Sequence, residues 1–256
     1  MQLAFGAGAL WGNRTDVTGG GIGPDQFGIL QDVQIDFDWT TKELWGQFQF
    51  PVDIARGQGK ITGKAKFARI FGAIFGDLFF GQTPAAGQLT VAENEAASVP
   101  ATTPFTIAVA NAASFADDLG VYYANGNNAG GRFTRVTTTP AAAGQYSVNT
   151  ATGIYTFAAA DANAALAISY LYTVNTAGKK LVLTNQFMGY TPTFKATFYT
   201  TKTTGGAASG LALVLNACTA SKLSLPTKTD DYEIQEFDFS AFADATGTIG
   251  TLSSAE

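Results

Sequence analysis

The sequence predicts a mainly β protein: a β-sandwich or barrel with one flanking α-helix, interrupted by an inserted small β-sandwich-like block. Three observations predict it. Apolar and polar residues alternate with a period of two toward both ends of the chain. A single stretch switches to the helical period. The composition suits strands and turns, with 29 glycines, 12% aromatic and only 14% charged residues, where about 25% charged is usual. Disorder goes with few aromatics and high net charge, so this chain is expected to fold. A surface so poor in charge favours assembly over a lone monomer.

The 256 residues suit one large domain or two small ones, and composition divides them at 1–87, 88–175 and 176–256. Residues 1–28 are glycine-rich and read as an extended arm. Val33, Ile35, Phe37 and Trp39 then alternate with Gln34, Asp36 and Asp38, a strand with one wet face. Thr40-Thr41-Lys42 reads as a turn. Leu44, Gly46, Phe48 and Phe50 continue the apolar phase on a return strand that Pro51 ends. After a loop at 51–59, Lys60, Thr62 and Lys64 share one face of a third strand.

From Lys66 the period changes. Phe67, Ile70, Phe71, Ile74 and Leu78 fall at i, i+3, i+4, i+7 and i+11, which predicts an amphipathic helix packing this stripe onto the sheet. Gly81 is its expected C-cap. The central block carries six short strand patterns, at 105–109, 120–124, 133–136, 145–148, 153–157 and 165–172, separated by turn signals. Beyond it, Leu181–Leu183, Phe194–Phe198 and Leu211–Leu215 read as strands. Tyr232 and Ile234 have one parity and Phe237 and Phe239 the other, which predicts a bulge near Gln235-Glu236. The tail after Phe242 has few large side chains and is expected to be loose.

Chemistry motifs are scarce. The chain has no histidine, the commonest general base and metal ligand near neutral pH, and one cysteine, Cys218, read as a small buried hydrophobe. Gly57-Gln-Gly-Lys60-Ile-Thr-Gly63-Lys64 misses the phosphate-loop spacing and has Ala65 where Ser or Thr is needed. Asp117-Asp118 and Asp230-Asp231 read as loop pairs without a full calcium-ligand spacing. No catalytic, cofactor-binding or metal-binding residue is assigned, no cofactor is expected, and the chain is not expected to be an enzyme. A carboxylate glycosidase using Asp36 and Asp38 is the enzymatic alternative. A net charge of −5, with scattered lysines and arginines, argues against gripping nucleic acid. The first residues lack a positive n-region, and no apolar run reaches the ~18 residues of a membrane span, so neither a signal peptide nor a membrane partner is expected.

The flanks resemble the tail tube (major tail) proteins of long-tailed bacteriophages. The resemblance lies in Gln34–Gly46, in Lys60–Lys66, and in Asn185–Phe194, Ala217–Leu225 and Lys228–Phe239. It implies a tail-tube-type sandwich assembled as stacked hexameric rings. Its partners would be further copies of itself and the tape measure, terminator and distal tail proteins. Double-stranded DNA would pass through without specific binding. It also implies assembly in the host cytoplasm and residence in the virion. A lumen that does not hold DNA needs a neutral or acidic lining. Gln34, Asp36, Asp38, Glu43, Gln47 and Gln49 are the candidates for it, with Val33, Ile35, Phe37, Leu44 and Phe48 buried behind them. A capsid decoration protein, or a receptor-binding or adhesin sandwich, is the alternative.

Overall fold

The computed structural model describes residues 8–17, 23–70, 72, 75–124, 131–204 and 207–254. The chain divides into two units, Met1–Pro84 with Leu181–Glu256, and Ala85–Lys180; the expected edges of the inserted block were 88 and 175. In chain order the strands are β1 (Ala9–Arg14), β2 (Asp25–Gln26), β3 (Gly28–Trp45), β4 (Pro51–Ile70), β5 (Ala85–Ser98), β6 (Thr106–Ala108), β7 (Phe115–Tyr123), β8 (Thr134–Arg135), β9 (Gln145–Asn149), β10 (Ile154–Phe157), β11 (Ala165–Lys180), β12 (Phe194–Thr204), β13 (Ala207–Ser224), β14 (Gln235–Phe242) and β15 (Gly250–Ser254). The fold is mainly β.

The first unit is one antiparallel sheet in the order β2-β1-β12-β13-β14-β4-β3, with β15 also paired to β13. Only Phe27 separates β2, at one end of that order, from β3, at the other. The sheet therefore curls until its ends lie side by side. Phe27 sits fully buried at this seam, its amide donating to the Leu10 carbonyl at 2.9 Å. Its ring lies 5.8 Å from Phe67 and 5.1 Å from Phe237. Phe194, Phe239, Leu10, Leu78 and Cys218 complete the core. Gly63 of β4 lies under the Phe239 ring, which a Cβ there would meet at 2.1 Å. Gly63→Ala should destabilise this unit by about 1–3 kcal/mol through overpacking, read as a lower denaturation midpoint at unchanged denaturant slope.

Several expectations give way to ladder hydrogen bonding. Thr40–Lys42 is not a turn: β3 runs through to Trp45, and the chain reverses at 46–50. Threonine suits a pleated surface, and Thr41 and Lys42 pair with Arg56 and Ala55. The expected loop at 51–59 is strand for the same reason. Pro51 opens β4 instead of closing a strand, a first position where a missing N–H is tolerated.

The expected helix at 66 does not start there. Phe67 and Ile70 lie in β4; Lys66 and Phe67 pair on both sides, with β3 and with β14. Two ladders outweigh the local helical period. Gly72 is helical and Phe75–Phe79 forms a π-helical turn, from which Leu78 reaches the core. Phe71 and Ile74 lie outside the described residues.

The arm expected at 1–28 contributes β1, paired along its length with β12. The tail expected to be loose contributes β15, paired with Leu211–Leu215. β14 starts only at Gln235, so no bulge forms there; the extra residue is Ser221 of β13, between the pairs Ala220↔Phe239 and Lys222↔Asp238. Residues 181–183 are not strand.

The second unit is a sandwich. Its sheets are β5-β11-β7 and β6-β10-β9-β8, the last pair parallel. Between them lie Val99, Val109, Val121, Phe133, Tyr146, Tyr155, Phe157, Leu166, Ile168 and Tyr170. β6 to β11 answer to the six short patterns. β5 was not anticipated, because it offers the core only small residues, Ala92 and Ala97, and exposes Leu89 and Val91. Its first residue, Ala85, pairs with the last of β11, Lys180, so the block leaves and re-enters at one ladder position. Replacing 85–180 by a short Gly-Ser linker should leave the first unit folded and able to self-associate. Insoluble protein would show that the boundary is wrong.

Candidate assembly surfaces and polar sheet face

The polar face of the curled sheet is built by register. On β3, Asp32, Gln34, Asp36 and Asp38 point away from the core. Opposite them on β4 stand Lys66, Lys64, Thr62 and Lys60. On β14, Glu236, Asp238 and Ser240 pair with Lys66, Lys64 and Thr62, and Lys222 of β13 pairs with Asp238. Neighbouring strands are about 4.8 Å apart, so acidic and basic side chains alternate across the face. Glu236 lies between two lysines, 4.0 Å from Lys64 and 3.9 Å from Lys222. A groove of about 360 Å³ runs between Asp36, Lys60, Lys64 and Asp238.

Of the six candidates, the structure brings Gln34, Asp36 and Asp38 together, with Gln34 donating to both Asp36 oxygens at 3.1 Å. Glu43 has the opposite parity, that of Phe37 and Trp39. Gln47 and Gln49 lie in the reversal at 46–50. All six are exposed. The alternation of Lys60, Thr62 and Lys64 was visible in the sequence; their carboxylate partners on β14 needed the register.

The apolar face behind these residues is only half covered. Val33 and Ile35 pack on the core. Phe37, Leu44 and Phe48, expected to be buried, are exposed: β3 and β4 carry Phe37 past the last strand that backs it, Leu44 has the parity of Asp36 and Asp38 and so falls on the polar face, and Phe48 lies in the reversal at 46–50. β14 reaches only Ile61 of β4. Beyond that point the two-stranded hairpin presents Phe37, Trp39, Leu44, Trp45, Val52 and Ile54 to solvent, with Phe48 73% and Phe50 79% exposed at its tip. The Arg56 guanidinium lies 4.7 Å over the Trp39 ring. A second exposed apolar stretch, Val182, Leu183, Phe187 and Met188, lies on the irregular segment before β12.

Arg14, at the end of β1, ties this segment down. It donates to both Asp16 oxygens at 2.7 and 2.9 Å, to Asp77 at 3.2 Å and to the Tyr190 hydroxyl at 3.2 Å. Burial opposes the Asp16 charge, but the Arg14 hydrogen bonds and charge outweigh it and hold that carboxyl below its ordinary range. For Asp77 burial wins and the carboxyl lies above it.

At the other end of the chain, Asp244 organises the turn before β15. The Thr246 hydroxyl and then the Thr248 amide, at 2.6 and 3.0 Å, lower its carboxyl from 3.8 to about 2. A depressed carboxyl contributes stability above its unfolded value and loses it as pH falls through the folded one. The protection of β15 amides, as the ratio of intrinsic to observed exchange rate at each pH, should therefore fall as pH is lowered from 3.8 toward about 2, and Asp244→Asn should flatten that dependence.

Three carboxylates of the second unit, Asp118, Asp161 and Glu95, accept hydrogen bonds from tyrosines. Asp117 and Asp118 lie in β7, not in a loop, and the Asp118 side chain is 3% exposed. It accepts from the Tyr146 and Tyr155 hydroxyls at 2.7 and 2.9 Å. Burial, and then Asp118 itself, push both phenols well above their ordinary value. Asp161 accepts from Tyr123 at 2.8 Å and Glu95 from Tyr170 at 2.5 Å. Cys218 is fully buried, and burial raises its thiol to about 12. Among the described residues no helix is long and apolar enough to cross a membrane. No protein-family model matches the chain, and no curated protein matches it.

Proposed function

We propose that the protein is a structural virion protein of the tail-tube type, polymerising as stacked hexameric rings into a conduit for DNA. One observation carries this reading: a long hairpin exposes Phe37, Trp39, Leu44, Trp45, Val52 and Ile54, with Phe48 and Phe50 at its tip, and among the described residues β14 stops short of them. So many large apolar side chains exposed on one hairpin mark an interaction site. The curled antiparallel sheet supports the reading too, since its inner face is filled by phenylalanines and its outer face is polar and charge-balanced. Such an outer face suits a lumen through which duplex DNA passes. Closing the sheet across subunits would also remove its exposed edges. The partners are further copies of the chain and, at the ends of the tube, the tape measure, terminator and distal tail proteins; no cofactor and no catalysis are involved, and the assembled site is the virion tail.

Negative-stain electron microscopy of the purified protein tests this. Hexameric rings or tubes are the expected result. Trimers with radiating arms would favour a receptor-binding or adhesin protein. Monomers that bind only to preformed capsids would favour a decoration protein.

A further inference from the structure

Lys60, Lys64 and Lys66 share one face of β4, and the fold brings Lys222 of β13 onto that face. Alone, these four would form the basic stripe expected of a phosphate-binding surface. They are not alone. Asp32 and Asp38 stand directly opposite Lys66 and Lys60, Asp238 pairs with both Lys64 and Lys222, and Glu236 sits between those two lysines. One oxygen of Asp238 is buried without a hydrogen-bond partner.

We propose that this face is a duplex-DNA-binding stripe held silent by its own carboxylates. The carboxylates offset the lysine charge from neighbouring strands, and Glu236 also lies within 4.0 Å of two lysines, so an approaching phosphate meets little net positive charge. DNA therefore releases few counterions on approach and is not retained. That polyanion is DNA rests on the conduit reading above; the masking itself rests only on the register.

The test is fluorescence anisotropy of a short labelled DNA duplex with the purified protein. Wild-type protein should bind negligibly. Asp36→Asn/Glu236→Gln/Asp238→Asn should bind at least tenfold more tightly at roughly 50 mM salt and lose the gain by roughly 200 mM. Adding Lys64→Gln and Lys222→Gln should abolish the gain. Removing as many charges elsewhere, with Asp230→Asn/Asp231→Asn/Glu233→Gln, should produce none. If the triple variant does not fold, Asp36→Asn/Asp38→Asn, both exposed, should show a smaller gain of the same salt sensitivity. No gain in any face variant, or a gain that survives loss of the lysines or appears in the control, overturns the proposal. Ring formation is read separately by microscopy. Rings without the gain sink the masking and spare the conduit; the gain without rings does the reverse.

Discussion

Phe48→Ser/Phe50→Ser is expected to abolish self-association while leaving the fold intact. Both rings are largely exposed within the chain, so their loss removes little intrachain packing. Surface changes of this kind move stability within about 0.5 kcal/mol. In an assembly the same rings would be buried, each contributing about 1.5–3 kcal/mol. Losing two per hairpin weakens each contact by roughly 10²- to 10⁴-fold, and a ring multiplies that loss over every contact it contains. Size-exclusion chromatography and microscopy should show monomers, with a thermal midpoint close to wild type. If the double variant still forms rings or tubes, the hairpin is not the assembly element.

Phe237→Ala should be the most damaging core substitution. Phe237 is fully buried, and its ring centroid lies within 6.4 Å of those of Phe27, Phe79, Phe194 and Phe239. Those four rings come from the β2–β3 junction, the π-helical turn, β12 and β14, and cannot all relax into the gap. Truncation should cost about 3–5 kcal/mol, a large part of the 5–15 kcal/mol typical of a domain. The loss should be confined to one unit, because the sandwich has a core of its own. Tryptophan fluorescence can separate the two, since Trp11, Trp39 and Trp45 all belong to the first unit. Its transition should move to lower denaturant, while a transition followed through the tyrosine-rich second unit stays in place. A common shift of both would mean that the units unfold together.

What could be read in advance depended on how local the determining interaction is. The short strands from β6 to β11 were legible because each pairs alternation with its own turn signal. β5 was not, because alanines line its buried side and leucine and valine its exposed one. Phe67 and Leu78 were correctly marked as core residues but for the wrong reason. Phe67 points inward from a strand and Leu78 from a π-helical turn, so two separate elements imitated one helical stripe. The reach of the hairpin was misjudged because covering its apolar face requires strands that stop at Ile61. Alternation says which side chains share a face; it does not say what lies opposite. The same limit hid the polar face. Asp36, Asp38, Lys60 and Lys64 could be assigned to wet strand faces, but their alternation with Glu236 and Asp238 exists only in the register of strands about 170 residues apart.

The order of strands in the curled sheet also sets a schedule for synthesis. β4 needs β14, and β1 needs β12, yet the whole second unit is translated between these partners. At about 5–20 residues per second, that interval lasts roughly 5–20 s. The sandwich holds every strand it requires and is finished first. The β3–β4 hairpin, with its aromatic tip, waits on the nascent chain beside an incomplete core. During this wait Glu236 and Asp238 have not yet been made, so Lys60, Lys64 and Lys66 face only Asp38, Gln34 and Asp32 of β3 across the hairpin.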